Sequence, residues 1–387
     1  MTKKIVLFGS GTVAEQNLHL NPVFIVDNNP DLQGSQFHDF AIRSPDDLRQ
    51  DPEQYHVVVC TTSISEVKKQ LQLYGFIWGE SAEPAEQLRE KSAIADLENT
   101  RFTLLISSGL PASADSFSGG GIHLIEEGGD YPTVKTIYEG NTHGLIKTMD
   151  GFAFTCQGRG VIQLDKGFSP TKEIPLRKGL RPHGIRTYED LWVVVCSTGD
   201  CIVGIDEEGN ERFCYPISDK IKGYESAQHH CNDLEIIGDY AYVSMFSVSG
   251  NWKRGIFDGG IIEFNLKDGR SRVINNTLTM PHSVSAGDGG LYILDSFKGR
   301  LLGPNFTEIG QLPGFTRGFD QSDDYFFLGE SKNRNFSRLE TARSPVSIDS
   351  RITVISKHYK FSRSIPLPAR ISEIHSVILL RHSSADQ

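Results

Sequence analysis

From residue 101 onward, short apolar or aromatic runs alternate with turns of Gly, Asp and Asn, and no helical period appears, so this region reads as all β. One phrase recurs within it: His143-Gly-Leu, His183-Gly-Ile, Asn232-Asp-Leu, His282-Ser-Val, Arg317-Gly-Phe and His375-Ser-Val. Each phrase leads into a strand. The spacings, about 40, 49, 50, 35 and 58 residues, lie in the range of propeller blades. Six phrases predict six blades. The last phrase, in "EIHSVILL" (373–380), is followed by a single strand, whereas "RFTLLISS" (101–108), "GGIHLIEE" and "VKTIYEG" supply three strands with no inner strand before them. The C-terminal strand is expected to complete that blade, which closes the ring and removes exposed edges.

The first hundred residues are patterned differently. "KIVLF" (4–8), "GSGTVA" (9–14), a short helical stretch ending at Asn21-Pro22 and "VFIVDNN" (23–29) spell strand, Gly-rich turn, helix, strand, acid. Gly9, Gly11 and Ala14 fit the G-x-G-x-x-G/A form, and Asp27 stands where a ribose-binding acid would close the second strand. "HVVVC" (56–60) is a third buried strand, and "SISEVKKQLQLYGF" (63–76) reads as a helix with a capping box from Ser63 to Glu66. The expected organisation is a small Rossmann-like α/β domain over residues 1–95 and a six-bladed β-propeller over 101–387, with a polar, helix-prone boundary at 83–100. Gly9, Gly11 and Asp27 are the candidates for holding a nucleotide or nucleotide-sugar. A docking domain without a ligand is the alternative.

Composition narrows the class. The 387 residues carry a net charge of −10, which argues against a nucleic-acid partner held through phosphates. The six cysteines form no CxxC pair and four lie in or beside apolar runs, as expected of reduced thiols in a cytoplasmic protein. No apolar run approaches the length of a membrane helix, so no membrane partner is expected. No Ser-His-Asp elbow, Walker loop or HExxH appears.

In a propeller the blade-opening phrase begins the innermost strand, so its first residues should ring the channel mouth. Imidazole is the commonest ligand for Fe, Mn, Zn and Cu at neutral pH, which makes His143, His183, His282 and His375 candidate ligands of a divalent metal, with His230 an alternative member. Their uneven places in a six-fold ring count against a regular four-ligand site. The other reading is that each His bonds a neighbouring blade's carbonyl. His183, His230, His282 and Arg317 are the candidate catalytic groups. Two loops, around Trp252, Lys253 and Arg254 and around Lys332, Asn333, Arg334 and Arg338, add cations that suit an anionic ligand, as do Lys298 and Arg300.

The phrases "HHCNDLEIIGDYAYVSMFSVSGNWKRG", "TMPHSVSAGDGGLYILDSFKGRL", "QLPGFTRGFD", "YFFLGESKNR" and "ISEIHSVILL" resemble an uncharacterised bacterial family of predicted β-propellers, over about residues 140–380. The resemblance implies a propeller and no particular reaction. By position it marks Asn232, Trp252, Arg254, His282, Arg317, Ser331, Lys332 and Arg334 as family motif residues, with Asn232, Trp252, Arg254, Lys332 and Arg334 the candidates for binding substrate. "HHCND" and His375 depart from the family pattern. Separately, "VDNNPDLQGSQFHDFAIRSPDDL" resembles small Rossmann-like domains attached to surface-polysaccharide enzymes. The function expected is an enzyme, metal-dependent, acting on a small anionic or sugar-derived metabolite at the channel mouth in polysaccharide or specialised-metabolite biosynthesis. A partner enzyme or a second copy would dock on it. The competing expectation is a non-catalytic glycan- or protein-binding scaffold.

Overall fold

The computed structural model describes residues 3–110, 119–128, 131–220, 227–332, 346–359 and 361–384. The chain divides into two compact units, one over residues 1–100 with 384–387 and one over 101–383.

The first unit is built on a mixed sheet of β1 (Lys4–Phe8), β2 (Phe24–Val26), β3 (Gln36–Phe37), β4 (Phe40–Arg43), β5 (Tyr55–Val59) and β6 (Ala82–Pro84). The order is β3-β4-β2-β1-β5-β6, parallel throughout except between β3 and β4. Strands β1, β2 and β5 read as unbroken apolar runs because both of their faces are covered. Val6, Phe8, Val26, Val57 and Val59 pack with Val67 and Leu71, whereas Leu7, Ile25 and Val58 pack with Ala14 on the other face. Helix α1 (Thr12–Gln16) has only five residues. A 3-10 turn and a left-handed Asn21 then end the segment ahead of Pro22. Ser63 does sit at the N-cap of α2 (Ile64–Leu73), but its side chain makes no capping bond. A third helix, α3 (Arg89–Asn99), runs through residue 95 and delivers the chain to the second unit.

Among the described residues the second unit holds six four-stranded antiparallel sheets. Five consist of consecutive strands. The sixth has the order Ile374–Ser384, Thr100–Ser108, Gly121–Glu126, Thr133–Glu139, so the C-terminal strand is the inner strand of the blade that residues 100–139 begin. The six-bladed propeller and its closure are therefore as expected. Apolar residues of neighbouring sheets interleave to form the core, as where Val193 and Ile202 meet Leu234, Val243 and Phe264.

The recurring phrase marks a structural device. Five of the inner strands begin at Thr142, Pro182, Cys231, His282 and Phe315. Each slips register against its neighbour over the phrase, between Thr142 and Leu145, Pro182 and Ile185, Cys231 and Leu234, His282 and Ser285, and Thr316 and Phe319. A bulge of this kind re-aims side chains at a sheet edge. In three of the phrases the second residue is Gly, because inner strands converge here. A Cβ on Gly144 would lie 2.5 Å from the His183 carbonyl oxygen, and one on Gly184 would lie 2.4 Å from Asp233 Oδ1. Hydroxyls on the second strands fill the bulges. Thr155 Oγ1 donates to the His183 carbonyl at 2.5 Å and accepts from Gly144 N at 2.9 Å, while Ser107 Oγ donates to the His143 carbonyl.

Candidate metal and anion site

The bulges place His143, His183, Asn232, His282 and His375 on the lining of one axial cavity. Numbered by blade, His143 is position one, His183 two, Asn232 three, His282 four, Arg317 five and His375 six. Once the ring closes, six, one and two are neighbours. Ring centroids of His143 lie 4.1 Å from His183 and 4.3 Å from His375. One nitrogen from each of these three rings lies within 4.8 Å of the others, a separation a metal could bridge. With metal–nitrogen bonds of ~2.0–2.1 Å, closing on a shared ion requires the rings to draw in by about 1 Å.

His282, the fourth metal candidate, is not in this group. It stands across the axis from His143, and its Nδ1 is engaged by the Met280 carbonyl at 3.0 Å and the Ser296 hydroxyl at 2.9 Å. Its ring is lodged between Phe246 and Phe315, with centroids at 5.3 and 5.5 Å. His230 approaches the three from the side of position three, 6.0 Å from His183, and packs on Phe246 at 4.3 Å and Trp252 at 4.8 Å. Its left-handed backbone (φ 53°) is held by Asp200, whose carboxylate accepts the backbone N–H groups of Gln228, His229 and His230. The adjacent His229 is fully engaged, with Ser247 O at 2.9 Å and Ser218 Oγ at 2.6 Å, and serves the loop rather than the channel.

Polar atoms at the mouth lack partners. His143 Nδ1, His183 Nε2, Asn232 Oδ1, Arg317 Nε and Arg181 Nε are buried with no hydrogen-bond partner among the described residues. Asn232 spends its amide on the Pro281 carbonyl at 3.1 Å and leaves its oxygen over. Burial without a partner costs about 1–3 kcal/mol for a neutral group and more for a charged one, so several together set the mouth apart from the rest of the core. The electrostatics agree. Burial, reinforced by neighbouring imidazoles and by Arg181, holds His143 and His183 well below the ordinary value, and burial with Arg317 does the same to His282. His230 is pressed down to about 3, by burial first and Arg181 next. These rings are neutral at pH 7 and keep a lone pair for a ligand. Burial, followed by the like charge of Arg181, lowers Arg317 to about 9, so it remains a cation. Its Nη1 lies 3.8 Å from Glu373 Oε2, and the same oxygen lies 3.5 Å from His375 Nε2.

The remaining candidates are further from this group. Trp252 is half-buried and donates Nε1–H to the Ala227 carbonyl at 3.0 Å, with Lys253 over its ring at 4.4 Å. Arg254 and Lys332 are exposed. Arg300 is bound to Asp295 at 2.5 Å, which commits it to its own blade. Arg334, with Asn333 and Arg338, lies outside the described residues. The recurring phrase does not mark Arg181, Phe246 or Phe315. A signal for Arg181 was present, a cation directly before the Pro-His-Gly phrase. The two phenylalanines look like any other strand core.

In the first unit, Gly9 adopts φ +103°, which a side chain rarely tolerates, and Gly11 precedes α1. Asp27 is already occupied. Its Oδ2 accepts from Ser10 N at 3.0 Å and Ser10 Oγ at 2.7 Å, and its Oδ1 accepts from Asn29 N at 2.9 Å. All six cysteines are free thiols, and no described helix is long and apolar enough to cross a membrane.

Among solved structures, a protein of unknown function from Bacteroides caccae is similar over 72% of this chain and 99% of its own, at 11% identity and a TM-score of 0.51, which supports the propeller fold. Weaker likenesses are a chain of a nidogen/laminin complex (12% identity, 72% and 97% of the two chains, TM-score 0.49) and a catalytically inactive virginiamycin B lyase from Staphylococcus aureus with quinupristin (11%, 73% and 93%, TM-score 0.43). No curated protein matches the chain. A family model does match residues 183–386, more than half of the chain and most of the blades that form the mouth, and by that match the protein belongs to the family of the domain of unknown function DUF4915.

Proposed function

We propose that the protein is a metal-dependent enzyme acting on a small anionic or sugar-derived metabolite at the mouth of the propeller channel. The observation that carries this reading is the set of three buried imidazoles on contiguous blades, His143, His183 and His375, whose nitrogens converge within 4.8 Å. A divalent metal held there would supply a Lewis acid. The chain's own groups take the other roles. Arg317 and Arg181 attract the anionic part of the substrate. His230, neutral and 6.0 Å from His183, offers its lone pair to a hydrogen-bond donor of the substrate. Phe246, Trp252 and Phe315 exclude water on that side. The experiment is elemental analysis of the purified protein beside His143→Ala and His183→Ala. About one transition metal per chain, lost in both variants while the fold persists, is expected. A native protein that stays metal-free after incubation with Zn, Fe, Mn and Cu salts overturns it.

For the first unit, the parallel run β4-β2-β1-β5-β6 with helices on either side supports a Rossmann-like reading. Asp27, whose carboxylate already serves Ser10 and Asn29, favours docking to a partner enzyme or a second copy over nucleotide binding. The free thiols are in keeping with a cytoplasmic setting. Polysaccharide or specialised-metabolite synthesis remains the context we propose, on the resemblance of residues 26–48 alone. A screen of nucleotides and nucleotide-sugars by thermal unfolding tests the docking reading; any that raises the midpoint and loses the effect in Asp27→Ala overturns it.

A further inference from the structure

Resting on that reading of the mouth, we propose that the ligand enters the axial cavity hydroxyl end first, and that Asn232 and Asp233 receive two neighbouring hydroxyls of a polyol or sugar-acid chain. Position three is where the recurring phrase breaks. The other five open on His or Arg followed by Gly or Ser, and this one reads Asn232-Asp233. Successive residues of a strand ordinarily point to opposite faces. Here both line the axial cavity, in the stretch where the register slips between Cys231 and Leu234. Asn232 is 2% exposed, and its Nδ2 donates to the Pro281 carbonyl at 3.1 Å. A carbonyl can only accept, so the orientation of the amide is fixed and Oδ1 is the atom left over, buried and without a partner among the described residues. Asp233 is half-buried, and its Oδ1 accepts from Leu234 N at 2.9 Å. Its carboxylate also borders the next space along the axis, where the cation, Arg186, is held by both oxygens of Glu235 at 3.2 Å each.

The cavity therefore has two sides. Positions six, one and two bring the three converging imidazoles, and position three brings oxygens that accept. The other polar side chains of the lining add no ready donor. Ser376 Oγ donates to the His143 carbonyl at 3.2 Å and accepts from Leu145 N at 3.2 Å. The Met280 carbonyl likewise fixes the hydrogen of the neutral His282 ring on Nδ1 and leaves Nε2 as a further acceptor. A ligand end made only of oxygens would leave Asn232 Oδ1 unpaired and set its own lone pairs against Asp233. An ammonium would bring hydrogens, but it has no lone pair for the side of the imidazoles. A hydroxyl has both, one O–H to donate and two lone pairs. Two adjacent acceptors call for hydroxyls on adjacent carbons. The space measures about 240 Å³ with its open end included, below the ~300 Å³ at which pockets for drug-sized ligands begin, so a chain of about four carbons suits it.

The test uses the full chain, as purified and again after chelation of metals. Thermal unfolding and titration calorimetry are run with erythronate, erythritol and butyrate, a four-carbon polyhydroxy acid, the matching neutral polyol and the acid without hydroxyls. All are used in the low millimolar range, far below the concentrations at which polyols act as osmolytes. Erythronate is expected to raise the midpoint by a few degrees and to bind roughly tenfold or more tightly than butyrate, because a site built around a hydroxyl leaves its own buried groups unpaired when the hydroxyl is missing. A matching shift with erythritol assigns a neutral polyol chain, and a shift with erythronate alone assigns a sugar acid. Asn232→Leu should bring erythronate and butyrate to equal affinity. Asp233→Asn, which keeps an oxygen for Leu234 N, should narrow the preference severalfold and decides the matter if Asn232→Leu does not fold. The proposal is overturned if neither hydroxylated probe binds, if butyrate binds as tightly as erythronate, or if the folded variants keep the wild-type preference. A preference that survives in protein without metal leaves the proposal standing and removes the metal centre. Bound metal with no preference for hydroxyls does the reverse.

Discussion

At the end of β2, the acid that a nucleotide would need is already engaged: Asp27 accepts three hydrogen bonds from Ser10 and Asn29. At the propeller mouth the balance runs the other way. Buried nitrogens of His143, His183, Arg181 and Arg317 have no partner among the described residues, although hydroxyls fill the bulges immediately behind them. Both places are motifs at a strand end. One is a finished structural joint and the other is a polar surface held open inside a closed ring. The difference lies in which atoms are left over, and it can be measured as stability, because paired groups stabilise the native state and unpaired ones weaken it.

Acid provides the largest expected separation. Burial holds the imidazoles of His143, His183, His230 and His282 below their ordinary 6.5, so in the native state they stay neutral. In the unfolded chain each takes up a proton near pH 6.5. Protons therefore favour the unfolded state, and the stability of the propeller is complete above pH 6.5 and falls as the pH drops below it. For His230, held at about 3, the loss between pH 7 and pH 5 is about 2 kcal/mol, and the other three rings act in the same direction. Asp233, raised by burial to about 6, takes up a proton in the native state over the same range and offsets part of this loss. Tryptophan fluorescence, with Trp192 and Trp252 as the propeller reporters, should show a denaturant midpoint that falls between pH 7 and pH 5, and falls less with a metal that occupies the three imidazoles. A propeller whose denaturant midpoint is unchanged from pH 7 to pH 5 would show that the mouth is solvated and its nitrogens are paired with water.

Asp27→Ala is next in size. The three bonds it removes all end on the carboxylate, and the loss is expected to be about 2–3 kcal/mol. Hydrogen exchange of the amides in β1 and β2 should accelerate accordingly, with the propeller amides unaffected. If exchange stays at the wild-type rate, the turn is not the joint its geometry describes, and the contrast with the mouth disappears.

Much of this architecture was written in the local pattern. At three positions the close approach of inner strands demands a glycine after the channel-facing residue, so position-specific repetition in His143-Gly144, His183-Gly184 and Arg317-Gly318 revealed the ring. Closure by the C-terminal strand followed from counting strands. What no local pattern holds is who stands next to whom. His375 and His143 are 232 residues apart in the chain and 4.3 Å apart in the fold, so positions that looked uneven along the sequence become contiguous. His282 carries the same phrase as the others, yet the Met280 carbonyl and the Ser296 hydroxyl claim its Nδ1. Asp27 likewise looked like a ribose acid because Ser10, seventeen residues away, reaches it only after β1 and β2 pair.

The smallest effect expected is an increase in stability. Arg317→Met removes a buried cation whose Nε has no partner among the described residues and whose Nη1 lies 3.8 Å from the Glu373 carboxylate. Methionine fills a similar volume and rests as well against Phe315, since the sulfur–aromatic contact replaces the cation–ring one. Glu373 loses a distant cation and keeps His375 at 3.5 Å. Replacing a poorly compensated buried charge with a well-packed apolar side chain is neutral to stabilising, and about +1 kcal/mol is expected without ligand, read as a small rise in the thermal midpoint. The same variant should lose its response to an anionic ligand of the mouth. The trade of ligand response for stability is the signature of an arginine kept for binding. A midpoint that falls by several degrees would place Arg317 with Asp27, among the groups whose partners are already inside the fold.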